Sequence, residues 1–248
     1  INKPVETIPQ AFTPYKEVLD IYSNGLELPE DVTIIWADDN FGYMKRLSGP
    51  QEQKRAGRAG VYYHLSYLGV PHSYLWFSTT PPALMYEELR KAYDTTADCI
   101  WLANCGDLKG SEVQVSFFLD MAYDIEQFNE KNVHTYPARW LAKMFGEQYY
   151  NTLEDITCSH INLAFSRKPE YMGWGYWNNY WGGGEKRTDT EFSFTNYEEA
   201  GKRLAEYRRI GKKAEDMLVT LEEAARPALY QLLYYPVKGA ELMNRMNM

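Results

Sequence analysis

The sequence predicts an α/β fold, the later part of a parallel β/α barrel, followed by an all-α helical bundle. Over residues 1–134, strand signals alternate with helix signals, which is the rhythm of a parallel sheet with helical crossovers. Over residues 135–248 every signal is helical. Because three predicted strands cannot close a barrel, we expect the missing strands to precede Ile1. The change from mixed to purely helical signals places the domain boundary at residue 134.

Three short runs predict the strands. Residues 32–36 are apolar and mostly β-branched, as in a strand that is buried on both faces of a parallel sheet. Further strands are predicted at residues 60–67 and 99–104. Since side chains alternate along a strand, Tyr63 should face the helices, opposite to Tyr62 and His64.

Three helices accompany these strands. The first is predicted over residues 14–23, and Asn24 with Gly25 ends it. The second opens at residues 80–82, because proline is tolerated in a first turn. The third begins at a capping box formed by Ser111 and Gln114. The predicted inner faces are Met85, Leu89, Ala92 and Tyr93 on the second helix, and Phe117, Phe118, Met121, Ala122 and Ile125 on the third.

The second part of the chain is predicted to be helical throughout. One helix begins at Tyr136 with Pro137, and another covers residues 152–165. A capping box of Thr195 and Glu198 predicts a third helix, whose apolar steps of three and four residues are typical of a bundle. Its seam comprises Tyr197, Ala200, Leu204, Tyr207, Gly211, Ala214 and Leu218, where the small residues would let a neighbouring helix approach closely.

Composition and charge narrow the function classes. The net charge of −8 argues against nucleic-acid binding, and no apolar stretch approaches the roughly 18 residues of a membrane span. The three cysteines do not make a disulfide scaffold, and no metal-ligand spacing or nucleotide-binding glycine motif occurs, so we expect neither metal nor cofactor. The aromatic fraction of 15% fits two interpretations, an aromatic-rich core and a sugar-binding surface.

Polar side chains gather where the predicted parallel strands end. A carboxylate, an imidazole, phenols and amides at neighbouring strand ends suit a hydroxyl-rich ligand. These side chains are Asp38, Asn40, Tyr62, His64, Tyr67 and Asn104. Structural alternatives exist, since Asp39 could cap the loop after its strand and His64 could be a satisfied core histidine.

Five segments resemble motifs of glycoside hydrolase family 115. Residues 36–47 are similar to its W-x-D-D-N-x-G-x-x-R-R-L signature, 60–69 to its G-V-Y-Y-H-x-x-Y-x-G strand, and 100–109 to its I-W-x-x-N-x-G-D-x-K segment. Residues 167–170 and 232–238 resemble two motifs of its helical domain. The family consists of xylan α-1,2-glucuronidases, which remove (4-O-methyl)glucuronic acid side chains from glucuronoxylan with inversion. The resemblance implies the later part of a (β/α)8 (TIM) barrel and the helical bundle behind it.

The resemblance also implies roles for individual residues. Glu17 matches the glutamate of the family's W/Y-K-E-V helix start and would be the general acid, although the residues alone suggest a surface helix position. The implied substrate-binding residues are Asp38, Asn40, Tyr62, His64, Tyr67 and Asn104. Lys45 and His72 stand where the family usually has arginine; at Lys45 a bidentate carboxylate partner becomes a point charge.

Partners follow from the same resemblance. We expect glucuronoxylan or its oligosaccharides as substrate, and the remaining part of the same enzyme to supply the general base from before Ile1. Such enzymes meet polysaccharide in the periplasm or outside the cell, so we expect one of these locations. Whether the protein forms a homodimer is left open by the sequence. A non-catalytic carbohydrate-binding protein is the alternative, with Trp174, Trp177 and Trp181 in its aromatic platform.

Overall fold

The computed structural model describes residues 3–68, 79–173 and 189–248, and the chain divides into two compact units. The first unit comprises Ile1–Leu65, Ala83–Asn104 and Phe118–Phe128. The second comprises Ser66–Pro82, Cys105–Phe117 and Asn129–Met248.

A parallel four-stranded sheet forms the first unit. Its strands are β1 (Ala11–Phe12), β2 (Thr33–Ala37), β3 (Ala59–His64) and β4 (Ala97–Asn104), and they neighbour one another in chain order. The predicted β2 is confirmed, with Ile34, Ile35 and Trp36 at most 1% exposed. The prediction of three strands is wrong, because the sheet has a fourth strand, β1. β1 was missed because its two residues are too few to form an apolar run in the sequence.

Three helices belong wholly or partly to this unit: α1 (Glu17–Ser23), α2 (Pro82–Asp94) and α3 (Glu112–Tyr123). The predicted inner face of α2 is confirmed at Met85, Leu89 and Ala92, which are fully buried, whereas Tyr93 is exposed. On α3, Phe117, Phe118 and Met121 are buried as predicted and Ala122 is exposed. The predicted face of each helix was therefore one residue too wide.

The side-chain alternation of β3 separates two environments. Tyr63 is fully buried and its ring stacks on that of Phe118 of α3, with the centroids 6.3 Å apart, so its predicted orientation toward the helices is confirmed. Tyr62 and His64 point to the opposite face, where their rings lie 4.8 Å apart. β3 therefore contributes to the helix-packed core with one face and to a cluster of polar residues with the other.

The second unit is built from helices. They are α4 (Tyr136–Phe145), α5 (Tyr150–Ser166), α6 (Glu199–Thr220), α7 (Arg226–Leu229) and α8 (Tyr235–Asn247), with a π-helix at Tyr230–Tyr234. Beyond residue 135, every regular element of the described residues is helical, as predicted. The core includes Leu141, Leu153, Ile156, Tyr207, Ile210, Ala214 and Leu229. That this sheet is the later part of a (β/α)8 barrel, and that the helices form a bundle, stay predictions.

The capping box predicted for α6 does not form. Glu198 adopts a left-handed conformation with φ 55°, and α6 begins only at Glu199, so Tyr197 lies outside the helix and is 84% exposed. The backbone N–H groups of Thr195 and Asn196 bind the Ser193 hydroxyl instead. A local serine turn therefore replaces the helical turn that the T-x-x-E pattern predicted.

A glycine and a buried arginine lie where α6 contacts α8. Gly211 faces α8, as the small-residue seam predicted: a Cβ atom there would lie 2.8 Å from Oε2 at the flexible end of the Glu241 side chain. Arg203 on α6 donates to Asn244 Oδ1 on α8 at 2.6 Å and to the Leu163 carbonyl at the end of α5 at 2.7 Å. One side chain thus ties three helices together.

His160 makes the helical unit sensitive to acid. Its ring is buried on α5, neither ring nitrogen has a hydrogen-bond partner among the described residues, and burial, assisted by the Arg203 charge, lowers its pKa from 6.5 to about 4. The unfolded chain therefore binds the additional proton between these values. The contribution of the neutral His160 to the free energy of unfolding is fully present above pH 6.5 and is lost as the pH drops towards 4.

We predict that His160→Phe removes this dependence, because phenylalanine keeps the ring contact with Tyr207 and has no proton to bind. On going from pH 7.5 to pH 5.0, the wild type should lose about 2 kcal/mol more unfolding free energy than the variant. Urea unfolding at both pH values measures it, and the exposed His134 provides the control as His134→Asn. Parallel pH profiles for wild type and His160→Phe would contradict the assignment.

No helix in the described ranges is both long and apolar enough to cross a membrane.

Candidate active site

Polar residues from three strand ends meet at one edge of the sheet. Asp38 directly follows β2, His64 ends β3 and Asn104 ends β4. The parallel register pairs Ala37 with Tyr62 and His64 with Asn104, so these ends lie at one level of the sheet. Hydrogen bonds and ring contacts connect Asp38, Asn40, His64 and Asn104 at this edge.

The Asp38 carboxylate organises the centre of this cluster. It is buried, and Oδ2 accepts hydrogen bonds from the backbone N–H groups of Gly42 at 3.0 Å and His64 at 3.3 Å. Oδ1 accepts from the Asn40 N–H at 3.3 Å and is hydrogen-bonded to His64 Nδ1. Because four donors surround the two oxygens, the carboxylate fixes both the loop after β2 and the imidazole ring.

The His64 imidazole lies among aromatic rings. Its side chain is 2% exposed, and its centroid is 4.8 Å from that of Tyr62 and 5.8 Å from that of Tyr15. Because an ionised carboxylate can only accept, the bond to Asp38 requires a hydrogen on His64 Nδ1. The geometry thus fixes the orientation of the imidazole ring.

Two further hydrogen bonds complete the network. The Tyr15 hydroxyl donates to Asn40 Oδ1, and Asn104 Nδ2 donates to the Tyr62 hydroxyl at 2.5 Å. The rings of Tyr15 and Tyr62 meet edge to face, with centroids 6.0 Å apart. Asn40 adopts φ 72°, a left-handed conformation that asparagine tolerates better than most residues. Amide, phenol and imidazole groups therefore form one connected network.

Sequence reasoning overlooked one member of this cluster. Tyr15 entered only as part of the segment around Glu17, yet it touches Asn40, Tyr62 and His64. Tyr15 comes three residues after β1, at the carboxyl end of the strand that was not predicted. Recognition of β1 would have pointed to Tyr15 by the rule that predicted the other residues.

Glu17 and Tyr67 are placed differently from the other five candidates. Glu17 is the first residue of α1, two positions after Tyr15; its side chain is exposed and has no hydrogen bond or ion pair with the described residues. Tyr67 is half-buried and belongs to the second compact unit. The first unit therefore unites Asp38, Asn40, Tyr62, His64 and Asn104.

Asp39 and Lys45 have local roles. Asp39 Oδ1 accepts from the N–H groups of Phe41 at 3.0 Å and Tyr43 at 3.1 Å, so its predicted loop-capping role is confirmed. The exposed Lys45 ammonium lies 3.5 Å from Asp39 Oδ2. His72 and the three tryptophans of the proposed platform, Trp174, Trp177 and Trp181, lie outside the described residues.

No group of three or more His, Cys, Asp or Glu side chains capable of holding a metal ion occurs in the described part of the chain.

Comparison with known proteins identifies the family. The family model of glycosyl hydrolase family 115 matches residues 1–171. The chain belongs to this family. A solved structure is also similar to this chain: it aligns with 99% of the present chain, the helical unit included, at 38% identity and with a TM-score of 0.89.

That structure is described as a novel family GH115 4-O-methyl-alpha-glucuronidase, BtGH115A, with specificity for decorated arabinogalactans. The present family 115 chain spans 32% of its length. Among curated proteins, none matches the chain.

We predict that Asp38→Asn destabilises the protein by about 2 kcal/mol, because one amide N–H must oppose the N–H donors that the carboxylate accepts. Asp39→Asn is the matched control: Asp39 accepts from two N–H groups through Oδ1 alone, so its amide can keep both bonds and should cost less than about 1 kcal/mol. Urea unfolding compares the two. Equal losses would show that Asp38 does not hold the cluster.

Proposed function

We propose that this chain carries part of the active site of an α-glucuronidase. The enzyme removes α-1,2-linked (4-O-methyl)glucuronic acid side chains from glucuronoxylan with inversion at the anomeric carbon. The network at the sheet edge carries the proposal: in a family 115 chain, the carboxyl ends of adjacent parallel strands hold an imidazole, two amides and two phenols in mutual contact.

These groups suit a sugar better than an ion or a nucleotide. Hydroxyl groups need both donors and acceptors, which amides, phenols and an imidazole supply, and the rings of Tyr15 and Tyr62 offer apolar faces for C–H groups. We assign the glucuronate contacts to Asn40, Tyr62, His64, Tyr67 and Asn104. Asp38, first proposed as a substrate ligand, acts in this scheme by orienting His64, since four protein donors already occupy its oxygens.

Glu17 is the proposed general acid, which protonates the leaving sugar oxygen. Its exposed carboxyl follows Tyr15 by two residues at the start of α1. Inversion also needs a general base, with the two carboxyl groups roughly 6.5–9.5 Å apart so that water fits between them. Asp38 is poorly suited to that role because its lone pairs accept from the protein. We therefore propose that the base comes from a part of the enzyme outside this sequence.

Several further properties form part of the proposal. The similar structure acts on decorated arabinogalactans, so glucuronic acid on an arabinogalactan is the second substrate to test beside glucuronoxylan. We propose a barrel-derived catalytic domain over residues 1–134 and a helical domain over 135–248. A periplasmic or extracellular location fits a polymeric substrate, and self-association into a homodimer is part of the same proposal.

We predict that Glu17→Gln in the enzyme lowers kcat on a decorated xylo-oligosaccharide by about 10²–10⁴-fold and leaves KM nearly unchanged, because the amide cannot donate a proton. An activated aryl glucuronide should lose little, since its leaving group needs little protonation. Asp20→Asn, a second exposed acid on α1, is the matched control.

Three outcomes would contradict the proposal at different points. Equal rates for wild type and Glu17→Gln on the oligosaccharide would exclude Glu17 as the acid. An equal, large loss on both substrates would indicate a binding role. Wild-type protein that binds the oligosaccharide and releases no uronic acid would favour the non-catalytic carbohydrate-binding alternative.

A further inference from the structure

The loop that follows β2 is held from both faces of the sheet. We call residues 38–44 the site loop. Its first half is fixed by the Asp38 carboxylate and carries Asn40, whose Oδ1 accepts from Tyr15. Its second half, Gly42 to Met44, contacts residues of the opposite, helix-packed face. These contacts lie away from the polar cluster, and the proposed reaction does not use them.

Glu88 on α2 binds the end of the site loop. Its carboxylate is buried, and Oε2 accepts the backbone N–H of Met44 at 2.8 Å. Oε1 accepts from the partly exposed Lys91 ammonium at 2.6 Å. A buried carboxylate is costly unless hydrogen-bonded, and here each oxygen has one donor. α2 therefore fixes the loop through a charge-assisted bond to its backbone.

Tyr63 holds the same loop two residues earlier. Its hydroxyl donates to the Gly42 carbonyl at 3.0 Å, and burial together with the Asp38 and Glu88 charges raises its pKa well above the usual value, so the phenol stays protonated. Gly42 has φ 94°, and a Cβ atom there would lie 2.8 Å from the Tyr63 oxygen. Glycine is needed on both counts, for its backbone conformation and for the close approach of the phenol.

We propose that Glu88 and Tyr63 are positioning residues for Asn40. They clamp the carbonyl of Gly42 and the N–H of Met44, and the Asp38 carboxylate clamps the other end, so Asn40 is presented from a loop with both ends fixed. The inference rests on the proposed function, in which Asn40 contacts the glucuronate. Neither positioning residue touches the sugar in this scheme.

Glu88→Ala and Glu88→Gln test the clamp. Loss of the acceptor should release Met44 and lower kcat/KM on the decorated oligosaccharide by about 10–100-fold, because small displacements of a substrate-positioning group have effects of this size. Glutamine retains an acceptor for the Met44 N–H and should keep kcat/KM within about threefold of wild type. Glu87→Ala, at the exposed neighbouring position on α2, is the matched control and should match wild type.

A double mutant separates positioning from general weakening of the fold. If Glu88 acts through Asn40, Glu88→Ala should add less than about twofold in an Asn40→Ala background, because the two losses share one cause. A folded Glu88→Ala protein with wild-type kcat/KM, or an undiminished loss in the Asn40→Ala background, would overturn the proposal. If Glu88→Ala does not fold, Tyr63→Phe decides: it keeps the ring, and an unchanged kcat/KM would reject the clamp.

Hydrogen exchange tests the clamp without activity. The Met44 amide should exchange about tenfold faster in Glu88→Ala and at the wild-type rate in Glu88→Gln. Unchanged exchange in Glu88→Ala would overturn the positioning role. Wild-type enzyme that releases no uronic acid from any decorated substrate would instead reject the proposed function, and the exchange result would still decide the clamp.

Discussion

The buried carboxylate of Asp38 joins three pieces of backbone and one imidazole. It follows β2, accepts N–H groups from the loop behind it, and reaches across to both the backbone and the ring of His64 on β3. An ionised carboxylate in the protein interior is stable only when its lone pairs are filled, and here four donors fill them. The same requirement fixes the loop path, the strand-end spacing and the orientation of the imidazole ring, on which the rest of the candidate site depends.

Alternation along β3 explains how one strand can serve both the core and the site. Tyr62 and His64 face the polar cluster, while Tyr63 between them packs on Phe118 and binds the Gly42 carbonyl. The helix-packed face therefore contacts the same loop that carries Asn40 on the other side. Packing in the core and the geometry of the site are coupled through a few hydrogen bonds to loop backbone.

The helical unit depends on a different device, a buried cation. Arg203 donates to the Asn244 side chain and to carbonyl groups at Leu163 and Arg167, near the end of α5. A guanidinium carries several N–H donors in one plane and can bind several carbonyl groups at once. Gly211 faces side chains of α8, so the contact between α6 and α8 combines a small residue with a charged anchor.

Local sequence patterns were sufficient where a local cause decides the structure. The β-branched run of β2, the spacing of Met85, Leu89 and Ala92 on α2, and the alternation around Tyr63 are periodic signals that burial enforces. The polar strand ends followed from the same reasoning, because parallel strands direct their carboxyl ends to one edge. The proposed role of Glu17 came from the resemblance to glycoside hydrolase motifs alone, since neither its helix position nor its exposure argues for it.

Other features were decided only by tertiary structure. The two-residue β1 exists because β2 offers a parallel partner, and Tyr15 joins the site through that strand. Before α6, a serine turn forms in place of the capping box that the T-x-x-E pattern predicted. Both arrangements satisfy local backbone N–H groups, and the sequence does not show which of them is more stable. Sequence reasoning anticipated that Asp39 caps its loop, but only the fold shows that Asp38 binds both the backbone and the ring of His64. A side chain's partners come from distant segments, and only the folded chain brings those segments within hydrogen-bond distance.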